Sequence, residues 1–373
     1  MRDELARDGH LPGLDGVRGV AILLVLGQHA MTRPLIDGFV GVTVFFCLSG
    51  FLITTLLVRE LREGALDVGA FYRRRAARLL PGLVTVVAVT TVVLLVQRHN
   101  LTAGLVHRRA LDVGQILLPA GAALTYTTSL FDWGGHVFAT YDWFNYTWSL
   151  SVEEQFYLVW PFALLWGYRR SPRVFAALTA TLVALFLALD LYLGLTRDVK
   201  YDPHEYFGTD TNALPVLVGA MLAIVVANHW FARTVRRLAG GALLAVALLP
   251  VLAHRNDTGR PSVVIVTGTV LTLVVLTGVV TQPRSVAGSV LASRPLRWLG
   301  ERSYSLYLWN VLARIAVLSR FGHSFTGDVV WVVAIVVLAE ASFRFVERPL
   351  RARLAGRPFT PRGPEPVVTP ATG

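Results

Sequence analysis

Apolar runs of about 17–22 residues recur along the whole 373-residue chain, and no other feature limits its fold as much. An α-helix of that length crosses a hydrocarbon layer roughly 30 Å thick, whereas a barrel strand needs about half as many residues. Hydrophobic residues make up 54% of the chain and charged residues 16%, against about 25% charged in soluble domains. Mean hydropathy is +0.55. The sequence therefore reads as an all-α polytopic membrane protein.

Ten spans are expected, at about 14–32, 38–58, 79–97, 149–168, 174–195, 212–230, 240–253, 262–281, 303–320 and 328–345. The moderately apolar piece at 115–131 is interrupted by Gly and Pro and reads as interfacial or re-entrant. With the N-terminus inside, the strongly Arg-rich loops fall on the cytoplasmic side, as the positive-inside rule requires. Arg108 and Arg109, in the outer 98–147 segment, are the main exceptions. An even number of spans puts both termini in the cytoplasm, which fits a multi-pass protein of the plasma membrane. Residues 1–355 read as one transmembrane domain without an internal repeat, and the Pro-, Thr- and Gly-rich 356–373 as a disordered cytoplasmic tail.

The formal charge of +11 could point to nucleic acid, but its arginines gather in short loops between spans and no nucleic-acid-binding motif accompanies them. The single cysteine, Cys47, lies in an apolar run, so no intrachain disulfide can form. No small-residue cleavage site follows the first run, which therefore reads as a retained span.

Three stretches could carry chemistry. In LDGVRGVAILLVLGQHA (14–30), Arg18 and His29 bracket an apolar run. Eleven helical steps come to about three full turns, so both side chains point the same way, roughly 16 Å apart along the axis. Ionisable groups within a membrane span usually face an interior cavity; the plainer alternative is that each is hydrated at its own interface. In FYRRRAARLLP (71–81), Arg74 and Arg78 lie one turn apart, with Arg75 three residues from Arg78. This strip suits bidentate phosphate binding at the cytoplasmic mouth of span 3, or contact with anionic headgroups.

In TWSLSVEEQFY (147–157), Ser149, Glu153 and Tyr157 share one helical stripe, although acids early in a helix also complement its dipole. Counting spans places His29 and Glu153 in the same outer half of the membrane. There a carboxylate could fix the imidazole tautomer of a general base acting on an alcohol. No hydrolase elbow and no metal-ligand spacing occurs. His107, His136, His204, His229, His254 and His323 lie in loops or near span ends and read as solvated.

These motifs together resemble the acyltransferase-3 family of integral membrane acyltransferases. Arg18 and His29 match its first signature, and GFVGVTVFFCLSGFLIT (38–54) its second. The basic pattern is matched by Phe71, Arg74, Arg75, Arg78, Leu79 and Pro81. WSLSVEEQFYLVWP (148–161) matches through Ser149, Glu153, Phe156 and Tyr157. FGTDTNALPVLVGA (207–220), SYSLYLWN (303–310) and VERPLR (346–351) follow in the expected order. Thr43, Asn212 and Asn310 depart from residues frequent in the family, at positions expected to shape the acceptor site or its gating. No SGNH-type esterase domain is seen, so the chain resembles the stand-alone forms.

The resemblance implies transfer of an acyl group, most often acetyl, from cytosolic acyl-CoA to a hydroxyl of a sugar, surface glycan or glycosylated small molecule. It implies donor binding by Arg74, Arg75 and Arg78, catalysis by His29 and Glu153, and support from Arg18, Ser149 and Tyr157. Acyl-CoA is then a substrate, and no bound cofactor or metal is expected. The alternative is a transporter or flippase of a glycosylated or acylated lipid, since polytopic helices with intramembrane charges occur there as well.

Overall fold

The computed structural model describes residues 11–30, 39–64, 66–97, 112–133, 141–196, 202–230, 240–255 and 261–354. These residues form helices and connecting turns, with no strand among them. The helices are α1 (Pro12–Gln28), α2 (Phe39–Arg62), α3 (Val68–Gln97), α4 (Val113–Leu124), α5 (Thr128–Trp133) and α6 (Tyr141–Phe144). A 3-10 turn (Asn145–Thr147) leads into α7 (Trp148–Ala163), which ends in a π-helical turn, Leu164–Tyr168. Then come α8 (Pro172–Thr196), α9 (Pro203–Phe207), α10 (Ala213–Ala227), α11 (Ala242–Arg255), α12 (Pro261–Thr281) and α13 (Val286–Leu291). The series closes with α14 (Arg294–Phe321), α15 (Phe325–Ser342), a π-helical turn at Phe343–Glu347, and α16 (Arg348–Leu354).

Five helical stretches are long and apolar enough to cross a membrane: Phe39–Arg62, Val68–Gln97, Pro172–Thr196, Pro261–Thr281 and Phe325–Leu354. The chain is thus a helical protein of membrane character. The other expected spans fall on helices that miss these limits for identifiable reasons. α1 has 17 residues and α10 has 15, while α14 has the length but carries Arg294, Arg297, Glu301, Arg302, Arg314 and Arg320. The piece at 115–131 forms two short helices, α4 and α5, separated at Thr125–Thr127, where Tyr126 adopts φ 55°.

Large apolar side chains on the outer faces of α8 and α15 stand exposed, among them Leu178, Leu185, Leu195, Val332, Val333 and Val337. Such a surface is costly in water and natural against lipid. Inside, α2 is the hub. It packs along α10, α1 and α12, and a Cβ at Gly50 would fall 1.9 Å from the Val216 carbonyl oxygen. In return, a Cβ at Gly219 would fall 1.9 Å from the Cys47 carbonyl oxygen. The two backbones touch, and the stretch of α2 that carries Ser49 is fixed by that contact.

The structure corrects one boundary. Helix α3 begins at Val68, eleven residues before the expected span at 79. Arg73, Arg74, Arg75 and Arg78 are therefore helical residues, not loop residues. Asp67 explains the early start: its Oδ1 accepts from the Ala70 N–H at 2.9 Å, capping the orphan donors of the first turn. Residues 356–373, expected as a tail, lie outside the described residues.

Candidate active site

A cavity with about 800 Å³ of empty space, its open mouth included, lies between α1, α2, α3, α7 and α14. Along α2 its wall is Val42, Phe45, Phe46, Ser49, Leu52 and Ile53, one helical face about 16 Å long. Arg18 from α1, Arg75 and Arg78 from α3, Ser149, Glu153 and Tyr157 from α7, and Ser303, Tyr304 and Tyr307 from α14 supply its polar groups. Six residues singled out in the sequence thus meet in one cavity.

Glu153 stands at the centre of the polar wall. Ser49 Oγ donates to its Oε1 at 2.9 Å and the Tyr157 hydroxyl to its Oε2 at 3.3 Å. Arg75 lies 3.9 Å from the same Oε2, but its main partner is Glu154, which accepts from Nε at 2.8 and 3.1 Å and contacts NH2 at 2.6 Å. The Arg75 guanidinium carbon lies 3.2 Å from the Tyr157 ring centroid. Fork, stack and two carboxylates hold this arginine in one orientation. Arg18 reaches Asp15 Oδ1 at 3.1 Å on its own helix. Arg78 is open to the cavity and has no carboxylate within ion-pair distance among the described residues.

At the other end of the polar wall the Tyr307 hydroxyl donates to the Tyr146 carbonyl, so the Ser149 hydroxyl, 2.7 Å from the Tyr307 oxygen, donates to it in turn. Ser149 was expected beside Glu153, and Ser49 occupies that place instead. Nothing in the helical phase of α7 could reveal this, because the deciding side chain arrives from α2.

Two expected arrangements are corrected. Arg74 does not line the cavity; its NH2 donates to Glu60 Oε1 at 2.6 Å. Nor does Glu153 meet His29. It sits at the height of Arg75 along α3, because Tyr72, one turn before, donates to the Leu158 carbonyl at 2.8 Å and anchors α7 there. His29 caps the far end of α1, roughly 16 Å from Arg18 along the helix axis. Its Nδ1 lies 2.8 Å from the Val25 carbonyl oxygen, and Arg314 donates to its backbone carbonyl at 3.0 Å. A carbonyl only accepts, so Nδ1 carries the proton and Nε2 the lone pair. The His29 tautomer is set by the helix's own backbone, without a carboxylate.

The departures from the family pattern are packed into the core. Thr43 donates to the Phe39 carbonyl at 3.1 Å, Asn212 to the Gly208 carbonyl at 2.9 Å, and Asn310 is 1% exposed. None of the three lines this cavity. His107 and His136 lie outside the described residues, as does the side chain of His254. His204 is paired with Asp210 at 3.0 Å. Among the described residues no group of three or more His, Cys, Asp or Glu could hold a metal ion. Sequence reasoning missed Ser49, Ser303, Tyr304 and Tyr307 as individual site residues, although the stretches 38–54 and 303–310 that contain them were recognised.

The family profile Acyl_transf_3, described as an acyltransferase domain, matches residues 11–341. The chain belongs to the acyltransferase-3 family. It is 32% identical over 371 residues to YrhL of Bacillus subtilis (strain 168), itself named only as a candidate peptidoglycan O-acetyltransferase. That alignment covers 92% of this chain and 55% of YrhL. Identity is 28% over 369 residues to the O-acetyltransferase OatA of Staphylococcus aureus (strain NCTC 8325 / PS 47), covering 92% and 58%. It is 28% over 360 residues to the peptidoglycan O-acetyltransferase OatA of Listeria monocytogenes serovar 1/2a (strain ATCC BAA-679 / EGD-e), covering 92% and 56%. The chain thus spans somewhat more than half the length of these relatives. No solved structure matches it. Within this acyltransferase-3 chain, the signature residues Arg18, Arg75, Arg78, Ser149, Glu153 and Tyr157 form one cavity wall, while Arg74 and His29 stand outside it.

Proposed function

We propose that this chain is a membrane O-acyltransferase that moves an acyl group, acetyl by analogy with its relatives, from cytosolic acyl-CoA to a glycan hydroxyl. The observation that carries the reading is the polarity of the cavity. One end gathers Arg18, Arg75 and Arg78, and the α2 wall continues as Val42, Phe45 and Phe46. A ligand with phosphates at one end and a long, uncharged thioester arm fits that sequence of surfaces.

In this reading the arginines hold the phosphates and the arm runs along α2 toward the far end of α1. There Nε2 of His29 takes the proton of the acceptor hydroxyl as its oxygen attacks the thioester carbonyl. The carbon–sulfur bond breaks, and the CoA thiolate leaves and is reprotonated. Glu153 works at the arginine end, where with Glu154 it balances and orients Arg75. The thioester supplies the driving force. Peptidoglycan is the acceptor suggested by the names of the relatives, the plasma membrane is the site, and ten crossings with both termini in the cytoplasm are the topology.

The test is label transfer by the full-length protein in membranes, with acyl-labelled acetyl-CoA and peptidoglycan fragments. Covalent label on the glycan, absent with His29→Ala, supports the reading. Redistribution of unmodified glycolipid without covalent label would replace the enzyme with a transporter.

A further inference from the structure

The cationic end of the cavity has a further member in the VERPLR stretch (346–351), Arg351, to which the resemblance assigns no role. Glu347 sits in the π-helical turn between α15 and α16, and its carboxyl carbon lies 3.2 Å from the position a Cβ would take on Gly82 of α3. Tyr304 donates to the Leu79 carbonyl at 2.7 Å just below, so α14 and the end of α15 both clasp this stretch of α3. In the ten-span topology α3 runs away from the cytoplasm and α15–α16 runs back toward it, so the two are antiparallel. One turn from Gly82 toward the cytoplasm is Arg78; one turn from Glu347 in the same direction is Arg351. The register sets Arg351 against Arg78.

The charges around this point are unbalanced. Arg18, Arg75 and Arg351 all act electrostatically on Arg78. Arg18 and Arg75 have carboxylates of their own, in Asp15 and Glu154. Glu347 is the nearest acid along α15–α16 and interacts electrostatically with Arg78, while its Oε1 accepts from Ser305 at 2.7 Å and Ser342 at 2.8 Å. Arg78 and Arg351 have no carboxylate within ion-pair distance among the described residues. Two guanidinium groups brought together without a carboxylate paired to either repel each other, and an anion bound between them offsets that repulsion.

We propose that Arg351 and Arg78 form a phosphate site at the cytoplasmic mouth of the cavity, and that Arg351 binds the ribose 3′-phosphate of the CoA donor. The ligand identity rests on the donor reading above; the anion site itself does not. The 3′-phosphate is a dianion at the nucleotide end of the donor, and Arg351 is exposed on α16, free to meet it. Arg18 and Arg75 are less exposed, their side chains 22% and 11% accessible, and are engaged by Asp15 and Glu154. The same chemistry is offered by an anionic lipid headgroup, so the lipid must be varied in the test.

The experiment is binding of CoA, 3′-dephospho-CoA and inorganic pyrophosphate to the full-length protein in nanodiscs of neutral phosphatidylcholine, repeated with phosphatidylglycerol. Arg351→Ala should weaken CoA binding tenfold or more, down to the level of 3′-dephospho-CoA, while dephospho-CoA binding stays unchanged. Arg351→Lys should restore part of the loss. An equal loss for both nucleotides, or none for CoA, overturns the assignment. Pyrophosphate binding that needs Arg351, with no CoA species bound by the wild type, would keep the anion site and remove the donor reading. Loss of the Arg351 effect only when phosphatidylglycerol is present would show a headgroup competing for the site. An Arg351→Ala protein that loses its response to phosphatidylglycerol but binds CoA as the wild type does would make it a lipid site and overturn the donor role.

Discussion

Ser49 Oγ donates to Glu153 Oε1 at 2.9 Å and joins α2 to α7 in the middle of the cavity. The carboxylate has three neighbours of different kinds, a serine hydroxyl, the Tyr157 hydroxyl and the Arg75 guanidinium. With its oxygens engaged on the arginine side, it is a fixed counter-charge to Arg75. Ser49 itself is fixed by the backbone contact of α2 with α10 at Gly50 and Gly219.

Replacing Ser49 with Ala removes the donor to Oε1 without opening the helix contact. A buried acceptor that loses its partner costs about 1–3 kcal/mol. Ser49→Ala should lower the thermal stability of the purified protein and weaken donor binding severalfold, and Ser49→Thr should recover most of both. Thermal melts with and without acetyl-CoA read this. A Ser49→Ala protein with unchanged melting and donor affinity would mean that the bond does not hold Glu153 in place.

Arg75 is not interchangeable with lysine. Its fork engages Glu154 through Nε and NH2 while its plane lies on the Tyr157 ring, and a lysine ammonium reproduces neither contact. Removing one member of a buried ion pair typically costs about 3–5 kcal/mol, because the partner charge stays buried. Arg75→Ala should therefore be markedly destabilised, and Arg75→Lys, which keeps the charge but neither the fork nor the stack, by less. In Arg75→Ala, adding Glu154→Gln should restore part of the lost stability. A double-mutant cycle in detergent melts measures the coupling, and additivity would dissolve the pair.

His29 should behave in the opposite way. Its lone pair sits on Nε2 because Nδ1 is tied to the Val25 carbonyl, so the side chain is prepared for proton transfer and is not part of the arginine cluster. His29→Ala should lower transfer about a hundredfold or more, in the range usual for a general base, and leave donor affinity within twofold. Transfer assays beside acetyl-CoA titrations separate the two effects. Retained transfer would end the base assignment.

The helical, membrane character was legible in the sequence because a long apolar run announces itself by length and apolarity alone, and five of the ten expected spans fall on such helices. The site was legible as a list and not as a map. Helical phase told which way Arg18 and Ser149 point within their own helices. It could not tell that Arg18 shares a cavity with Glu153, because that depends on how far α1 and α7 slide past each other. The Ser149–Glu153 spacing suggested a contact. The real partner, Ser49, comes from α2 through the register of two packed helices, which no local pattern encodes. Arg74 stands off the cavity for a similar reason: Glu60, on α2, draws it away.

That displacement gives the sharpest discrimination among the basic residues. Arg74 and Arg78 are one turn apart on α3 and indistinguishable in the motif, but Arg74 is neutralised by Glu60 at 2.6 Å while Arg78 opens into the cavity without a carboxylate. Arg78→Ala should relieve repulsion in the unliganded protein, leaving its stability equal or higher, and should weaken acetyl-CoA binding tenfold or more. Arg74→Ala should do the reverse: it strands the buried Glu60 carboxylate, lowers the melting temperature, and leaves donor affinity within about threefold. Melts and titrations on both variants, in the same neutral-lipid nanodiscs, place each on one axis or the other. If Arg74→Ala were the variant that lost the donor, the phosphates would lie outside this cavity, and the arm would have to reach His29 by another route.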